Sequence, residues 1–247
     1  MRSFSAHLFI VKFAHMKRYQ HLFFDLDHTI WDFEANAKEA LKECYLHFEL
    51  ALRGIEPFDS FYEKYHAHNK RLWDRYHKGL IAQRELRWKR MFLSLLDFKI
   101  ADEQLARDLS EDFIDRLPNR TQLFPYTFEI LDYLKEKNYA LHLITNGANR
   151  IQEQKLIKSG LQDYFEVMVT SESSGCPKPN AGIFEYAMEL TGASPESSIM
   201  IGDNLVADIQ GAYDFGMDSI FTNHIAEKRD HLATYEVKHL KELEQIL

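Results

Sequence analysis

The chain is 247 residues long, 45% hydrophobic and 28% charged, with a formal net charge of -8. That length buries a sizeable core and accommodates one large domain or a domain carrying an insertion, while the acidic balance, with no long stretch dominated by Lys or Arg, excludes a binder of nucleic-acid backbone. No apolar run reaches the roughly 18 residues of a membrane span, and the two cysteines, Cys44 and Cys176, cannot build a disulfide framework and suit a reducing cytoplasm.

Residues 1–16 read as an N-terminal extension outside the fold. The segment SFSAHLFIVKFAH is apolar and follows Arg2, but Lys12 and two histidines interrupt it and no small-x-small cleavage pattern precedes Met16, which argues against a secretory signal. The first strand is predicted over 21–26 and runs into FFDLDHTIWD, where Asp25 and Asp27 stand a single residue apart. Like charges that close are costly unless a cation or a shared proton offsets them.

From 33 to 117 the strand signal disappears. Four helices are predicted there, over 34–52, 58–79, 83–99 and 102–116, punctuated by Gly54-Ile55-Glu56-Pro57 and by Gly79. Such a block after the first strand is most simply an inserted helical domain. Beyond it, apolar β-rich runs at 139–145, 165–170, 198–202 and 218–222 alternate with helical patterns at 126–137, 148–159, 180–191 and 205–215. Asn138, Gly160, Gly192 and Gly216 stand where those helices should stop. This alternation is the signature of βαβ units and a parallel sheet. The expected organisation is a core of 17–32 and 118–247 with the helical domain of 33–117 set into it.

Each strand ends in polar residues: Asp25, Thr145-Asn146-Gly147, Thr170-Ser171-Glu172, Gly202-Asp203 and Thr222-Asn223. In an open parallel sheet the carboxyl ends of the strands share one edge, where ligands bind. A lone aspartate after a strand is more often a cap or turn residue, but Asp25, Asp27 and Asp203 on one edge are a hard-oxygen cluster suited to Mg²⁺, which commonly bridges substrate phosphate. Lys178, between two prolines in GCPKPN, has an extended backbone that aims its side chain, and its ammonium would screen carboxylates and phosphate.

These motifs resemble those of the haloacid dehalogenase (HAD) superfamily in its phosphatase branch. DLDHT at 25–29, ITNG at 144–147, Lys178 in KPN and GDNLVAD at 202–208 occur in the family's order, and the helical block sits where members insert a helical cap. The resemblance implies an α/β fold, a Rossmann-like doubly wound parallel sheet with an inserted helical-bundle cap. It implies that Asp25 is the nucleophile forming an aspartyl-phosphate, and that Asp27 is the general acid and then base, with the neighbouring carboxylate favouring its protonated form. Thr145, with the backbone of Asn146 and Gly147 after it, would hold phosphoryl oxygens, and Lys178 would bind there too and neutralise the nucleophile and the developing charge. Mg²⁺ would be bound by Asp25, Asp203 and the main-chain carbonyl of Asp27, with Asn204 in support and Asp208 either supporting that metal or orienting Lys178. Where the family usually has glycine this chain has His28, which could contact substrate or merely tolerate the turn.

DLDHTIWDFE together with ITNG further resembles bacterial nucleotidases acting on pyrimidine and nonstandard nucleoside monophosphates. The resulting expectation is a cytoplasmic, Mg²⁺-dependent phosphomonoesterase, monomer or homodimer, whose partner is a small phosphate ester, foremost a nucleoside 5′-monophosphate, and neither nucleic acid nor membrane. A phosphosugar phosphatase or mutase and a catalytically silent binding member are the alternatives. In the cap, Trp73, Tyr76 and His77 are candidate contacts to a base or ring, although aromatics at helical spacing also serve packing. Arg87 and Arg90 either meet the substrate's polar end or form a solvated charged face. His66-x-His68 points its rings apart on a helix and does not read as a metal site.

Overall fold

A computed structural model describes residues 18–226 and 228–247; the expectation about residues 1–16 lies outside the described residues. Six strands, β1 (His21–Phe24), β2 (Ala140–Thr145), β3 (Val167–Thr170), β4 (Ser198–Gly202), β5 (Asp218–Thr222) and β6 (Tyr235–Val237), pair in parallel in the order β3-β2-β1-β4-β5-β6. The helices are α1 (Phe33–His47), α2 (Phe58–His77), α3 (Gln83–Leu96), α4 (Glu103–Arg116), α5 (Thr127–Glu136), α6 (Asn149–Ser159), α7 (Ala181–Thr191) and α8 (Gly211–Phe215).

Strand residues alternate between two apolar layers, as a period of two requires. Leu22, Phe24, Leu141, Leu143, Ile199 and Ile201 pack with Ile130, Leu131 and Leu134 of α5. Phe23, Ile144, Val169 and Met200 pack on the opposite face with Ile183, Phe184 and Ala187 of α7 and Ala212 of α8. Phe23 and Phe24 are each 0% exposed on opposite faces, and complete burial of a phenylalanine contributes on the order of 1.5–3 kcal/mol. The near-continuous apolar character of the strands follows from this double coverage.

The helical block α1–α4 is inserted between β1 and α5, and its apolar residues, including Ala40, Leu41, Phe61, Tyr65, Met91, Leu95, Leu109 and Phe113, join the cluster on the α5 face of the sheet. Asp32 and Asp102 start α1 and α4 by accepting the backbone N–H groups of Ala35 and Leu105. The helix expected over 34–52 is shorter. It stops at His47, Glu49 turns into the left-handed region (φ 50°), and a 3₁₀ turn at Leu50–Arg53 follows, which carries Leu50 and Ile55 into full burial. The helix expected over 205–215 begins instead as a π-helical turn, Leu205–Gln210, before α8. β6 is an addition, a three-residue edge strand too short to leave a sequence pattern.

Two chain segments, 28–32 and 122–124, join the block to the sheet domain and lie side by side. Phe124 N–H donates to Ile30 O at 2.9 Å and Asp32 N–H to Gln122 O at 3.1 Å. The fully buried Asn36 secures both, its Nδ2 donating to the carbonyls of Asp32 and Gln122 and its Oδ1 accepting Gln122 N–H. Trp31, also 0% exposed, anchors the crossing through Nε1 donation to Ser159 Oγ at 3.2 Å. Trp31→Ala is expected to destabilise the protein by about 3–5 kcal/mol, combining lost burial with a cavity. Denaturant unfolding with an unchanged slope would report it, and a loss under about 1 kcal/mol would show that the indole is not an anchor of the crossing.

Candidate active site

From β1 the chain proceeds to β2 and β3 on one side, whereas β4, β5 and β6 extend the sheet on the other. β1 and β4 are therefore the point where strand order reverses, and a crevice opens beyond their carboxyl ends. Asp25 follows β1, its N–H donating to Ile201 O of β4 at 2.8 Å, and Asp203 follows β4. The paired strands bring two carboxylates 178 residues apart in sequence to one edge.

Lys178, 1% exposed, sits beneath them. Its Nζ donates to Asp25 Oδ1 at 2.7 Å and to Ile144 O at 2.6 Å, and it forms an ion pair with Asp208 Oδ1 at 2.7 Å. Asn146 holds the lysine backbone from both sides, accepting Lys178 N–H at 2.7 Å and donating to Lys178 O at 2.9 Å. The Asn146 side chain is thus committed to the lysine loop, and the phosphate role expected at this position falls to its backbone. Asp208 is turned inward by the π-helical start at Asn204, whose Oδ1 accepts Val206 and Ala207 N–H while Asp208 Oδ2 accepts Asn204 N–H. A Cβ at Gly202 would overlap the Asp208 carboxylate, which explains glycine at the end of β4.

Burial, followed by repulsion from Asp208 and Asp203, pushes the Asp25 carboxyl up to about 8 against the pull of Lys178. Burial likewise raises Asp203 well above the ordinary carboxylate range, with Asp208 adding to it. Burial lowers the Lys178 ammonium, but Asp208 and Asp25 together outweigh it and the net shift is upward. Oxygens of Asp25, Asp203 and Asp208 lie within 4.8 Å of one another, a metal-competent group among the described residues. Three carboxylates against one ammonium leave two negative charges when all are ionised (3 − 1 = 2). An all-oxygen donor set with that charge fits a hard divalent cation such as Mg²⁺.

Asp27 does not share that group. Its Oδ1 is 2.5 Å from Lys155 Nζ, and its Oδ2 accepts from Gln152 Nε2 at 2.9 Å. The carboxylate neighbour expected to influence it is replaced by an ammonium and an amide from α6. Gln152 Nε2 also donates to Thr145 Oγ1 at 2.7 Å, and Gly147 N–H donates to the same oxygen at 3.2 Å. With two donors already on Oγ1, the Thr145 hydroxyl proton is directed elsewhere, suiting it to donate to an incoming oxyanion. A Cβ at Gly147 would strike Gln152, so the glycine of ITNG admits this amide. Sequence reasoning missed Gln152 and Lys155. Their signal was polar residues at 152, 155 and 159 on the buried face of α6, where an amphipathic helix would carry apolar ones.

His28 occupies the left-handed region (φ 64°), which histidine tolerates better than most residues. Its ring lies 5.0 Å from that of Phe33, and its Nε2 is 3.9 Å from Glu34 Oε1. From the cap, Tyr76 donates to Ser171 Oγ at 3.2 Å and Gln83 Nε2 to Asn146 O at 3.2 Å, so the α2–α3 end rests on the loops of the crevice. Trp73, Tyr76 and His77 form one ring cluster with centroids 5.5–6.1 Å apart. Burial lowers the His77 pKa, and the charges of Asp208 and Lys178 act on that ring, which places it beside the crevice. Arg87 bonds to Gln83 Oε1 at 3.1 Å, whereas Arg90 is buried between the Tyr65 and Phe113 rings and donates to Asn69. Arg90 is thus neither a substrate contact nor part of a solvated face. His66 and His68 turn apart to Glu34 and Asp97.

Residues 19–216 match the family described as haloacid dehalogenase-like hydrolase. Pyrimidine 5′-nucleotidase PynA of Streptococcus pneumoniae is 33% identical over 231 residues, covering 91% of this chain and 93% of that protein. Pyrimidine 5′-nucleotidase YjjG of Escherichia coli is 32% identical over 232 residues, 92% of this chain and 96% of that one. The magnesium-bound crystal structure of the HAD-hydrolase YfnB from Bacillus subtilis is similar with a TM-score of 0.84 and 29% identity, over 94% of this chain and 99% of the other. With its doubly wound core, its helical cap and the match over most of its length, the chain belongs to the haloacid dehalogenase-like hydrolase family.

Proposed function

We propose that the protein is a Mg²⁺-dependent phosphomonoesterase acting through an aspartyl-phosphate on Asp25, and that its substrate is a nucleoside 5′-monophosphate. The observation that carries the chemistry is the Lys178 ammonium bridging Asp25 and Asp208 at the strand-order reversal, with Asp203 alongside. The substrate class is supported by the two relatives named pyrimidine 5′-nucleotidases and by the Trp73, Tyr76 and His77 rings, which suit a planar base. The two free cysteines accord with work in the cytoplasm.

Phosphoryl transfer requires positioning and charge neutralisation more than covalent activation. An Asp25 oxygen attacks phosphorus while the bond to the ester oxygen breaks, and Asp27 delivers a proton to the departing oxygen. Thr145 donates to a phosphoryl oxygen and Lys178 holds Asp25 in line. Water then attacks the aspartyl-phosphate, giving its proton to Asp27 and releasing inorganic phosphate. Asp25 and Asp203, with Asp208 behind them, would hold Mg²⁺, which neutralises the clustered carboxylates and the phosphoryl charge.

Purified protein with MgCl₂ is expected to release inorganic phosphate from nucleoside monophosphates in preference to phosphosugars. Asp25→Asn should lower that rate by on the order of 10⁴. Preference for a phosphosugar would overturn the substrate class, and an unchanged rate in the variant would overturn the mechanism.

A second expectation concerns pH. Because the folded Asp25 value of about 8 exceeds that of the unfolded chain, the native protein keeps a proton that the unfolded chain releases. Metal-free stability therefore declines as pH rises from about 4 to about 8, and a cation competing with that proton binds better at the upper end. The rise in melting temperature produced by millimolar MgCl₂ should be larger at about pH 8 than at about pH 6. An equal or smaller rise at the higher pH would remove Asp25 from the cation site.

A further inference from the structure

Asp25 and Asp27, two positions apart, are held by different buried lysines from different parts of the fold: Asp25 by Lys178, Asp27 by Lys155. We propose that Lys155 is a positioning residue that fixes the Asp27 carboxyl for proton delivery to the leaving oxygen, an inference that rests on the phosphomonoesterase reading above.

Lys155 lies on the inward face of α6 with a side chain only 2% exposed. Its Nζ is 4.3 Å from the centre of the Trp31 ring and 5.8 Å from that of Phe33, and Asp27 Oδ1 is its carboxylate partner. Removing an ammonium from water has a penalty of several kcal/mol, and a methionine or leucine would pack on Trp31 without it. Packing alone therefore does not account for a lysine here.

The geometry fixes more than a distance. Lys155 holds Oδ1 and Gln152 holds Oδ2, so the plane of the Asp27 carboxyl is set from both ends. The holders are themselves fixed. Lys155 Nζ lies against the adjoining Trp31 and Phe33 rings, and Trp31 is bonded to Ser159 one turn further along α6. Gln152 also touches Thr145, so the hydroxyl suited to a phosphoryl oxygen and the carboxyl assigned to the leaving oxygen share one amide. A proton donor misplaced by an ångström loses much of its effect, because transfer needs hydrogen-bond reach to the departing atom.

The test compares kcat/KM for two esters, since that ratio ends with departure of the leaving group and excludes the later hydrolysis of the phospho-enzyme common to both. A nucleoside monophosphate expels a ribose alkoxide that needs a proton, whereas p-nitrophenyl phosphate expels a stabilised phenolate that does not. Lys155→Met should lower kcat/KM for the nucleoside monophosphate roughly 10- to 100-fold and for the aryl ester by less than about threefold. Asp27→Asn should give the same selectivity in stronger form. If Lys155→Met does not fold, Lys155→Gln carries the same comparison. An equal fall for both esters, or no fall for either, overturns the positioning role while leaving the phosphatase reading intact. A wild-type protein inert to both esters overturns the phosphatase reading and the positioning role with it. A wild type that hydrolyses only a phosphosugar fails the substrate class alone, and that alkyl phosphate then takes the nucleotide's place in the comparison.

Discussion

A buried ammonium set among three oxygens, two of them on carboxylates, is the contact around which the site is organised. Lys178 Nζ reaches carboxylates from the ends of two different strand-loop units and a carbonyl from a third strand, β2. Those groups meet only because β1 is paired on one side with β2 and on the other with β4. Several features that look unrelated in the sequence serve this one contact. Asn146 fixes the lysine loop, Gly202 lacks the Cβ that would displace Asp208, and the π-helical turn after Asn204 points Asp208 inward. Breaking a buried pair by removing one partner is strongly destabilising, so fold and site are bound together here.

The core was largely legible in the sequence for physical reasons that operate locally. Fully covered parallel strands leave continuous apolar runs, and their polar ends mark the ligand edge, which is why the sequence alone assigns Asp25, Thr145 and Asp203 to one edge. What escaped depends on contacts distant in sequence. Asp27 finds its partners more than a hundred residues away, in a helix whose polar inward face breaks the usual amphipathic pattern. The early stop of α1 comes from the burial of Leu50 and Ile55. β6 is too short for a periodic signal. The third carboxylate of FFDLDHTIWD, Asp32, has the bland role open to any aspartate before a helix, that of N-cap.

The cap meets the crevice through polar contacts of few atoms, Tyr76 to Ser171 and Gln83 to Asn146, whereas its apolar residues belong to one cluster with the sheet core that includes Trp31 and Phe33. Contacts of this kind exchange readily with water, unlike the packed crossing at Trp31 and Asn36. The two ends of the cap are thus held with very different strength, and the ring cluster lies at the weaker end.

That asymmetry makes the cap a lever. A swing of the cap would pivot where the chain is fixed, at the paired segments 28–32 and 122–124 held by Asn36 and the Trp31–Ser159 bond. Displacement in a rotation grows with distance from the axis, so any swing of the cap sweeps Tyr76 and Gln83 far while barely shifting Asp27, which lies beside the axis and is clamped to α6. Such a swing would change the mouth of the crevice while leaving the aim of the groups closest to the pivot nearly unchanged.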